Sequence, residues 1–157
     1  GHIDPFEWAG VVGAIGQRYN NAYVIVERNN HGLTTLRRLQ DTGYANLFVE
    51  STVDNAYGDR MTKRGGFLTT SKTKPLIVDN FAALLRQRES GIADTDLISE
   101  LRTFVIDEKG SYNSQRGCHD DRVIAYAIAL HGLASMPRPR HHVPSKRFQP
   151  MDAATGW

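Results

Sequence analysis

The chain has 157 residues, of which 40% are hydrophobic and 23% charged, a balance that fits one globular domain with one core. We expect neither a membrane span nor a secretion signal, because no apolar run approaches the ~20 residues that cross a bilayer and no basic segment precedes an apolar one at the N-terminus. The single cysteine, Cys118, excludes an internal disulfide and a zinc site of several thiolates, and a net charge of +2 permits a nucleic-acid partner without requiring one.

The first predicted element is an amphipathic helix that begins after Asp4 and ends at about Arg18. Asp4 is a suitable N-cap, and Pro5 fits the first turn of a helix. Large apolar residues then recur at helical spacing and share one face, at Trp8, Val12, Ile15 and Tyr19.

A buried strand is predicted over residues 22–27, because this run is compact, apolar and rich in β-branched residues. A helix from about Leu33 to Gln40 and a short strand over residues 47–49 follow. A strand, a helix and a strand within about two dozen residues are typical of the βαβ unit of a parallel sheet.

The middle of the chain is predicted to begin with a mobile loop over residues 51–66, which has little periodicity and three glycines. A short extended piece over residues 66–68 follows. Two helices come next, one from about Lys72 to near Gly91 and one from about Thr95 to Thr103.

The C-terminal part is predicted to contain a hairpin, a helix and a tail. Residues 104–106 and 111–112 flank a turn-like sequence and indicate the hairpin. The last helix is expected from about His119 to Ser135. Residues 137–157 are rich in Pro, Arg and His without periodicity, and we expect a disordered basic tail there.

Three carboxylates are the candidate metal ligands. Glu27 ends a strand that should be buried on both faces, where a charge is costly unless it is paired or binds metal. The carboxyl ends of parallel strands are also where ligands bind in α/β sheets. Asp120 and Asp121 open the last helix; acids there can simply stabilise the helix dipole, or one of them can face inward. Hard oxygen ligands suit Mg²⁺ or Mn²⁺ better than Zn²⁺.

Polar and basic residues near these acids are candidate supporting groups. The turn after Glu27 contains Asn29, Asn30 and His31 before a glycine, and His119 precedes the aspartate pair. A cluster of cations between residues 60 and 74 is what a phosphate backbone attracts, although a solvated basic surface would look the same. The predicted DNA contacts are Arg60, Lys63, Arg64, Lys72 and Lys74.

The sequence resembles the nuclease domain of the large terminase subunits of tailed bacteriophages. The resemblance runs in order from about Ile3 to about Ala134 and rests on five short motifs. These are Tyr19-Asn20-Asn21-Ala22, Val26-Glu27-Arg28-Asn29-Asn30-His31-Gly32, Gly43-Tyr44, Gly66-Phe67-Leu68-Thr69-Thr70 with Lys74, and His119-Asp120-Asp121.

The resemblance implies a ribonuclease H-like α/β fold, a mixed sheet flanked by helices, over residues 1–136. It implies a two-metal endonuclease, with Mg²⁺ or Mn²⁺, that cuts concatemeric viral double-stranded DNA during packaging. Glu27 matches the family's second acidic position, and Asp120 and Asp121 match the last. The implied partners are DNA, the portal and the small terminase subunit, in the cytoplasm of the bacterial host.

One departure from the family pattern is large. The family's first strand, with its leading aspartate, lies upstream of the helix with which this chain starts, and the family's ATPase domain is missing. We therefore expect an N-terminally truncated fragment of a larger motor protein, with weak or no cleavage activity of its own. An absent strand would also leave an open apolar sheet edge, which predicts self-association.

Two other functions compete with this one. The chain could be a binding module that holds DNA or the portal while cutting takes place elsewhere. It could also be another ribonuclease H-like enzyme, such as a junction resolvase or a transposase. A resolvase should prefer four-way junctions to linear duplex.

Overall fold

The computed structural model describes residues 3–54, 60–108 and 110–137, and within them the chain forms five helices and two small antiparallel sheets. The predicted combination of helices and strands in one chain is therefore confirmed. The helices are α1 (Pro5–Arg18), α2 (Gly32–Asp41), α3 (Thr73–Gln87), α4 (Thr95–Thr103) and α5 (Asp121–Leu133). The strands are β1 (Val49–Asp54), β2 (Arg60–Gly65), β3 (Phe104–Ile106) and β4 (Tyr112–Ser114).

Residues 22–28, which we call the central segment, lie extended between two layers of helices. Val24 and Val26 pack against the core formed by α1 and α2. Tyr23 and Ile25 pack against the larger core, to which α3, α4 and α5 contribute. Alternation of neighbouring side chains between two cores is the behaviour of a strand buried on both faces. The central segment is thus the middle layer of the fold.

The central segment is held by isolated parallel bridges rather than by a regular ladder. Val24 donates to Asn46 and accepts from Phe48, both at 2.9 Å. Further along, Phe67 donates to the Val26 carbonyl and accepts from the Arg28 amide, both at 2.8 Å. The bridges Val24↔Leu47 and Glu27↔Phe67 are parallel, as the predicted βαβ unit requires.

The prediction of a loop over residues 51–66 is wrong for those residues of the range that the structure describes. β1 pairs with β2 in an antiparallel ribbon that runs from Val49↔Gly65 to Asp54↔Arg60. The two strands read VESTVD and RMTKRG, so polar residues occur on both faces and no period of two marks them. The predicted C-terminal hairpin is confirmed, with Phe104↔Ser114 and Ile106↔Tyr112 as its outer pairs.

The apolar stripe of α1 is only partly covered. The cap is as predicted, since Asp4 Oδ1 accepts from the Phe6 amide at 2.8 Å. The buried residues of the helix are small, however, whereas Trp8, Ile15 and Tyr19 are 44%, 50% and 72% exposed. The sequence pattern therefore identified a common face, but the described part of the chain does not bury it.

Two glycines permit close backbone contacts around Glu27. A Cβ on Gly32, the first residue of α2, would collide with the carbonyl oxygen of Glu27. Gly66 has a φ of +74°, and a Cβ there would lie 2.7 Å from the Val26 carbonyl oxygen. The turn after the central segment can therefore pack tightly only because both positions lack a side chain.

We predict that Gly32→Ala lowers the free energy of unfolding by about 1–3 kcal/mol, because the new methyl group must displace the Glu27 backbone. Gly10→Ala is the matched control, since Gly10 also lies in a helix but has open space where its Cβ would be. That control should be stabilising by about 0.5–1 kcal/mol. Urea denaturation measures both, and equal effects of the two variants would contradict the close contact.

Candidate active site

Glu27 lies at the C-terminal end of the central segment, and its carboxylate is held by an amide side chain. Asn29 Nδ2 donates to Glu27 Oε1 at 3.1 Å and to the carbonyl oxygen of Thr69 at 3.0 Å. Asn29 therefore ties the carboxylate to the chain that follows Phe67. The predicted supporting role of Asn29 has a direct geometric basis.

Arg28 does not neutralise Glu27. Its guanidinium pairs with Glu50 at 2.7 Å and also donates to the carbonyl oxygens of Gly65 and Gly66, each at 3.4 Å. Arg28 thus fastens the β1–β2 ribbon to the end of the central segment. Among the described residues no cation lies within ion-pair distance of Glu27, which leaves its charge available to a ligand.

The start of α5 is capped from another helix. Glu100, in α4, accepts the backbone N–H groups of Arg122 at 2.8 Å and Val123 at 3.4 Å. Asp120 occupies the N-cap position, yet its side chain makes no capping bond within the described chain. Acids at the start of a helix usually accept hydrogen bonds from its first backbone amides. Here Glu100 accepts from the amides of Arg122 and Val123, so Asp120 does not have this structural role.

Arg122 reinforces the same junction between α4 and α5. Its guanidinium donates to Glu100 at 3.1 Å and to Asp96 at 3.0 Å. The hydrogen bond that Arg122 donates to Glu100 raises the pKa of Arg122 above its ordinary value, and the charge of Asp96 raises it further. These contacts fix where α5 begins and therefore where Asp120 and Asp121 lie.

Lys74 reaches the Asp120 carboxylate from the first turn of α3. A threonine turn sets its position, because Thr73 Oγ1 donates to the Leu68 carbonyl at 2.8 Å and accepts from the Thr70 amide at 2.8 Å. Lys74 Nζ lies 3.3 Å from Asp120 Oδ2. It also lies 3.4 Å from the Asn113 Oδ1 atom on β4. The ammonium group is thus a cation held directly against a candidate metal ligand.

Glu27, Asp120 and Asp121 line one pocket of about 340 Å³. Lys74 and Thr69 complete its polar lining, and its apolar wall consists of Ile25, Ile124, Ala125 and Ile128. Residues that are far apart in the sequence are brought together because the central segment ends where α5 begins. All three predicted metal ligands therefore share one pocket.

The other predicted site residues lie further out. Asn30 has a left-handed φ of +46° and, like His31, is exposed. The side chain of His119 is 82% exposed, and its Nδ1 atom lies 3.9 Å from Asp121 Oδ2. Lys63 and Arg64 are exposed on β2, and Lys72 is exposed before α3, whereas the side chain of Arg60 lies outside the described residues.

The pocket contains carboxylate oxygens, which are the type of ligand that a hard divalent cation prefers. Across residues 3–54, 60–108 and 110–137, no three His, Cys, Asp or Glu side chains come close enough to hold an ion together. Mg²⁺, however, often takes only one or two carboxylates and completes its shell with water and phosphate oxygens. Thr69 lines the pocket, and its buried Oγ1 has no hydrogen-bond partner in the described structure.

Three contributors to the site were not identified from the sequence. Glu100 caps α5 from 22 residues upstream of Arg122, Asn113 contacts Lys74 from β4, and Thr69 lies in the pocket wall. No local pattern marks Glu100 or Asn113, because each acts through a contact between different elements. Thr69 belongs to a motif of the resemblance but had no predicted role. Glu100 lies on one helix and caps the N-terminus of another. Such a contact can be recognised only when the tertiary structure is known.

Comparison with models of known protein families finds no match for this chain, and a search of curated proteins finds none either. Within the part of the chain that the structure describes, none of the helices combines the length and the apolar character of a membrane span.

We predict that Glu100→Ala lowers the free energy of unfolding by about 1–2 kcal/mol, because two amides at the start of α5 lose their acceptor. Asp96→Ala is the control, since Asp96 contacts the exposed side chain of the same Arg122 but not these amides. It should leave stability nearly unchanged. Thermal denaturation of both variants tests the difference, and an equally mild effect of Glu100→Ala would argue against capping by this residue.

Proposed function

We propose that this chain is a metal-dependent endonuclease domain of a phage DNA-packaging terminase large subunit, with a ribonuclease H-like arrangement of its strands. The observation that carries the proposal is the convergence of Glu27, Asp120 and Asp121 on one polar pocket. Arg28 pairs with Glu50, and Glu100 caps α5, so neither contact occupies these carboxylates. Their partners are Asn29 for Glu27 and Lys74 for Asp120, which a ligand can replace. The sequence resemblance supplies the substrate, concatemeric viral double-stranded DNA.

In this proposal Glu27 and Asp120 would hold Mg²⁺ or Mn²⁺, and Asp121 would contribute less. Glu27 is partly buried and oriented by Asn29, whereas Asp121 is 90% exposed. When bound, such a cation polarises a phosphoryl oxygen and lowers the pKa of a coordinated water. The fully ligated site includes the further aspartate that the resemblance implies and a second metal ion.

Lys74 has two roles in the proposed mechanism. Without metal, its ammonium group neutralises Asp120 at 3.3 Å and keeps that carboxylate facing the pocket. If a cation were bound at Asp120, Lys74 would be able to contact a phosphate of the substrate instead. A lysine acts on phosphate as a point charge and therefore tolerates this change of partner.

The remaining cations form the proposed DNA-binding surface. Lys63 and Arg64 are exposed on the β1–β2 ribbon, which Arg28 anchors directly beside Glu27. Phosphate contacts of this kind position a duplex without reading its sequence. The portal and the small terminase subunit are the proposed protein partners, and the bacterial cytoplasm is the proposed location, as the resemblance implies.

A DNA-binding module without cutting activity is the second candidate. It is favoured by the absence of a three-ligand cluster among the described residues together with the exposure of Lys63 and Arg64. A binding module needs the cations but not the acids, so the two functions separate by mutation.

We predict saturable Mn²⁺ binding in isothermal titration calorimetry that Glu27→Gln and Asp120→Asn each abolish. Asp121→Asn should weaken it by no more than about tenfold, because an exposed carboxylate contributes less. Glu108→Gln, at an exposed position outside the pocket, is the charge-matched control.

The same variants distinguish the two functions when duplex DNA is added. An endonuclease loses Mn²⁺-dependent cleavage but keeps DNA binding when Glu27 or Asp120 is neutralised. Unchanged Mn²⁺ binding in both variants would reject the metal site. DNA binding without metal binding in the unmodified chain would favour the binding module, and preferred cleavage of four-way junctions would favour a resolvase.

We predict that Lys74→Gln raises the affinity for Mn²⁺ several-fold in the absence of DNA, because the competing ammonium group is removed from Asp120. The same variant should bind duplex DNA more weakly, since the phosphate loses its cation. Lys72→Gln is the neighbouring control, because Lys72 is exposed and does not line the pocket. An unchanged Mn²⁺ affinity would show that the Lys74–Asp120 pair does not compete with metal.

A further inference from the structure

The ammonium group of Lys74 lies between two acceptors that belong to different elements. Its Nζ atom is 3.3 Å from Asp120 Oδ2, at the start of α5, and 3.4 Å from Asn113 Oδ1, on β4. Both distances exceed the ~2.7–2.9 Å of a tight charge-assisted hydrogen bond, so the ammonium group is shared between the two acceptors. Because an ammonium group has three N–H donors, these two contacts leave one donor for a further acceptor.

The side chain of Asn113 has a defined orientation, because a carboxylate holds its other end. Asn113 Nδ2 donates to Asp107 Oδ2 at 2.9 Å. An ionised carboxylate only accepts hydrogen bonds, so the amide nitrogen must face Asp107 and the amide oxygen must face Lys74. Asp107 is fixed in turn, since its Oδ1 atom accepts the backbone N–H of Ser111 at 2.8 Å across the β3–β4 turn. The turn therefore determines which atom of Asn113 meets the ammonium group.

The β3–β4 hairpin is itself held against α3, the helix that carries Lys74. Tyr112, the residue before Asn113, donates from its hydroxyl group to Asp79 Oδ1 on α3 at 2.7 Å. The ring of Tyr112 also stacks on Phe104 of β3, with an angle of 7° between the ring planes. These contacts fix the hairpin relative to the first turn of α3, so the Asn113 amide oxygen stays within reach of Lys74.

We propose that Asn113 is a positioning residue, which holds the Lys74 ammonium group at the pocket so that it binds a phosphate of duplex DNA. The inference rests on the proposed function in one respect, namely that Lys74 contacts DNA phosphate. Asn113 is the partner that Lys74 keeps when the Asp120 carboxylate is occupied by another cation. Without this partner, the flexible four-carbon stem of the lysine would allow the ammonium group to turn into solvent.

A neutral amide suits this role better than a carboxylate. An acceptor without charge orients the ammonium group and leaves its positive charge for the phosphate, whereas a carboxylate at the same place would compete with the phosphate for that charge. Asp107 is separated from Lys74 by the Asn113 amide, so its carboxylate binds the amide and the hairpin turn instead of the ammonium group. Asn113 therefore fixes the position of Lys74 without neutralising it.

DNA affinity in an Asp120→Asn background tests the proposal without any metal ion. In this background Lys74 has lost its anionic partner, so of its two contacts the one to Asn113 remains. A short duplex oligonucleotide is titrated with the full chain in EDTA and followed by fluorescence anisotropy, with Asn113→Ala, with Lys74→Gln and with both. We expect Asn113→Ala to weaken DNA binding about threefold to tenfold when Lys74 is present, and less than about twofold in the Lys74→Gln variant.

The salt dependence of the same binding separates positioning from a general loss of structure. Asn113→Ala removes no charge, yet it should lower the slope of log affinity against log salt concentration toward that of Lys74→Gln, because a phosphate contact is lost. Asn80→Ala is the matched control, since Asn80 is exposed on α3 and does not line the pocket; it should leave affinity and slope unchanged. If alanine destabilises β4, Asn113→Thr repeats the measurement with a residue that favours strands.

An equal loss of affinity with and without Lys74 would overturn the proposal, because Asn113 would then act only through the shape of the hairpin. Unchanged affinity in Asn113→Ala would also overturn it, as would a chain that does not bind the duplex. The metal site is tested separately by Mn²⁺ calorimetry. Coupling between Asn113 and Lys74 without Mn²⁺ binding would reject the metal site and support this inference, whereas Mn²⁺ binding without coupling would reject only the role of Asn113.

Discussion

The one-sided hydrogen bonding of the central segment is the constraint on which the rest of the structure depends. Bonds from Val24, Val26 and Arg28 draw residues 46–48 and 67 to the same edge, so segments distant in the sequence become neighbours. The two helix layers then pack on opposite faces, because Val24 and Ile25 project in opposite directions. The end of this segment is therefore the place where the fold can gather polar groups from several elements.

The acidic side chains near the site are of two kinds. Some hold the framework together, and others have partners that a ligand can replace. Glu50 is bound to Arg28, and Glu100 caps α5, so these two carboxylates hold the framework. Glu27 and Asp120 carry weaker partners, an amide at 3.1 Å and an ammonium group at 3.3 Å. An amide or a lysine is exchanged for a cation at smaller cost than a guanidinium at 2.7 Å or a pair of backbone amides. This difference between their partners is the physical basis for proposing Glu27 and Asp120, rather than Glu50 and Glu100, as metal ligands.

Local signals in the sequence were sufficient for most helices. Asp4 and Asp94 cap α1 and α4 as their sequence positions indicate. The candidate acids were also identifiable, since a charge at the end of an apolar run is conspicuous. The β1–β2 ribbon was missed because its strands are polar on both faces. The cap from Glu100 was missed because it joins two elements. The stripe on α1 was recognised as one face, but a period of 3.6 residues does not reveal what covers that face.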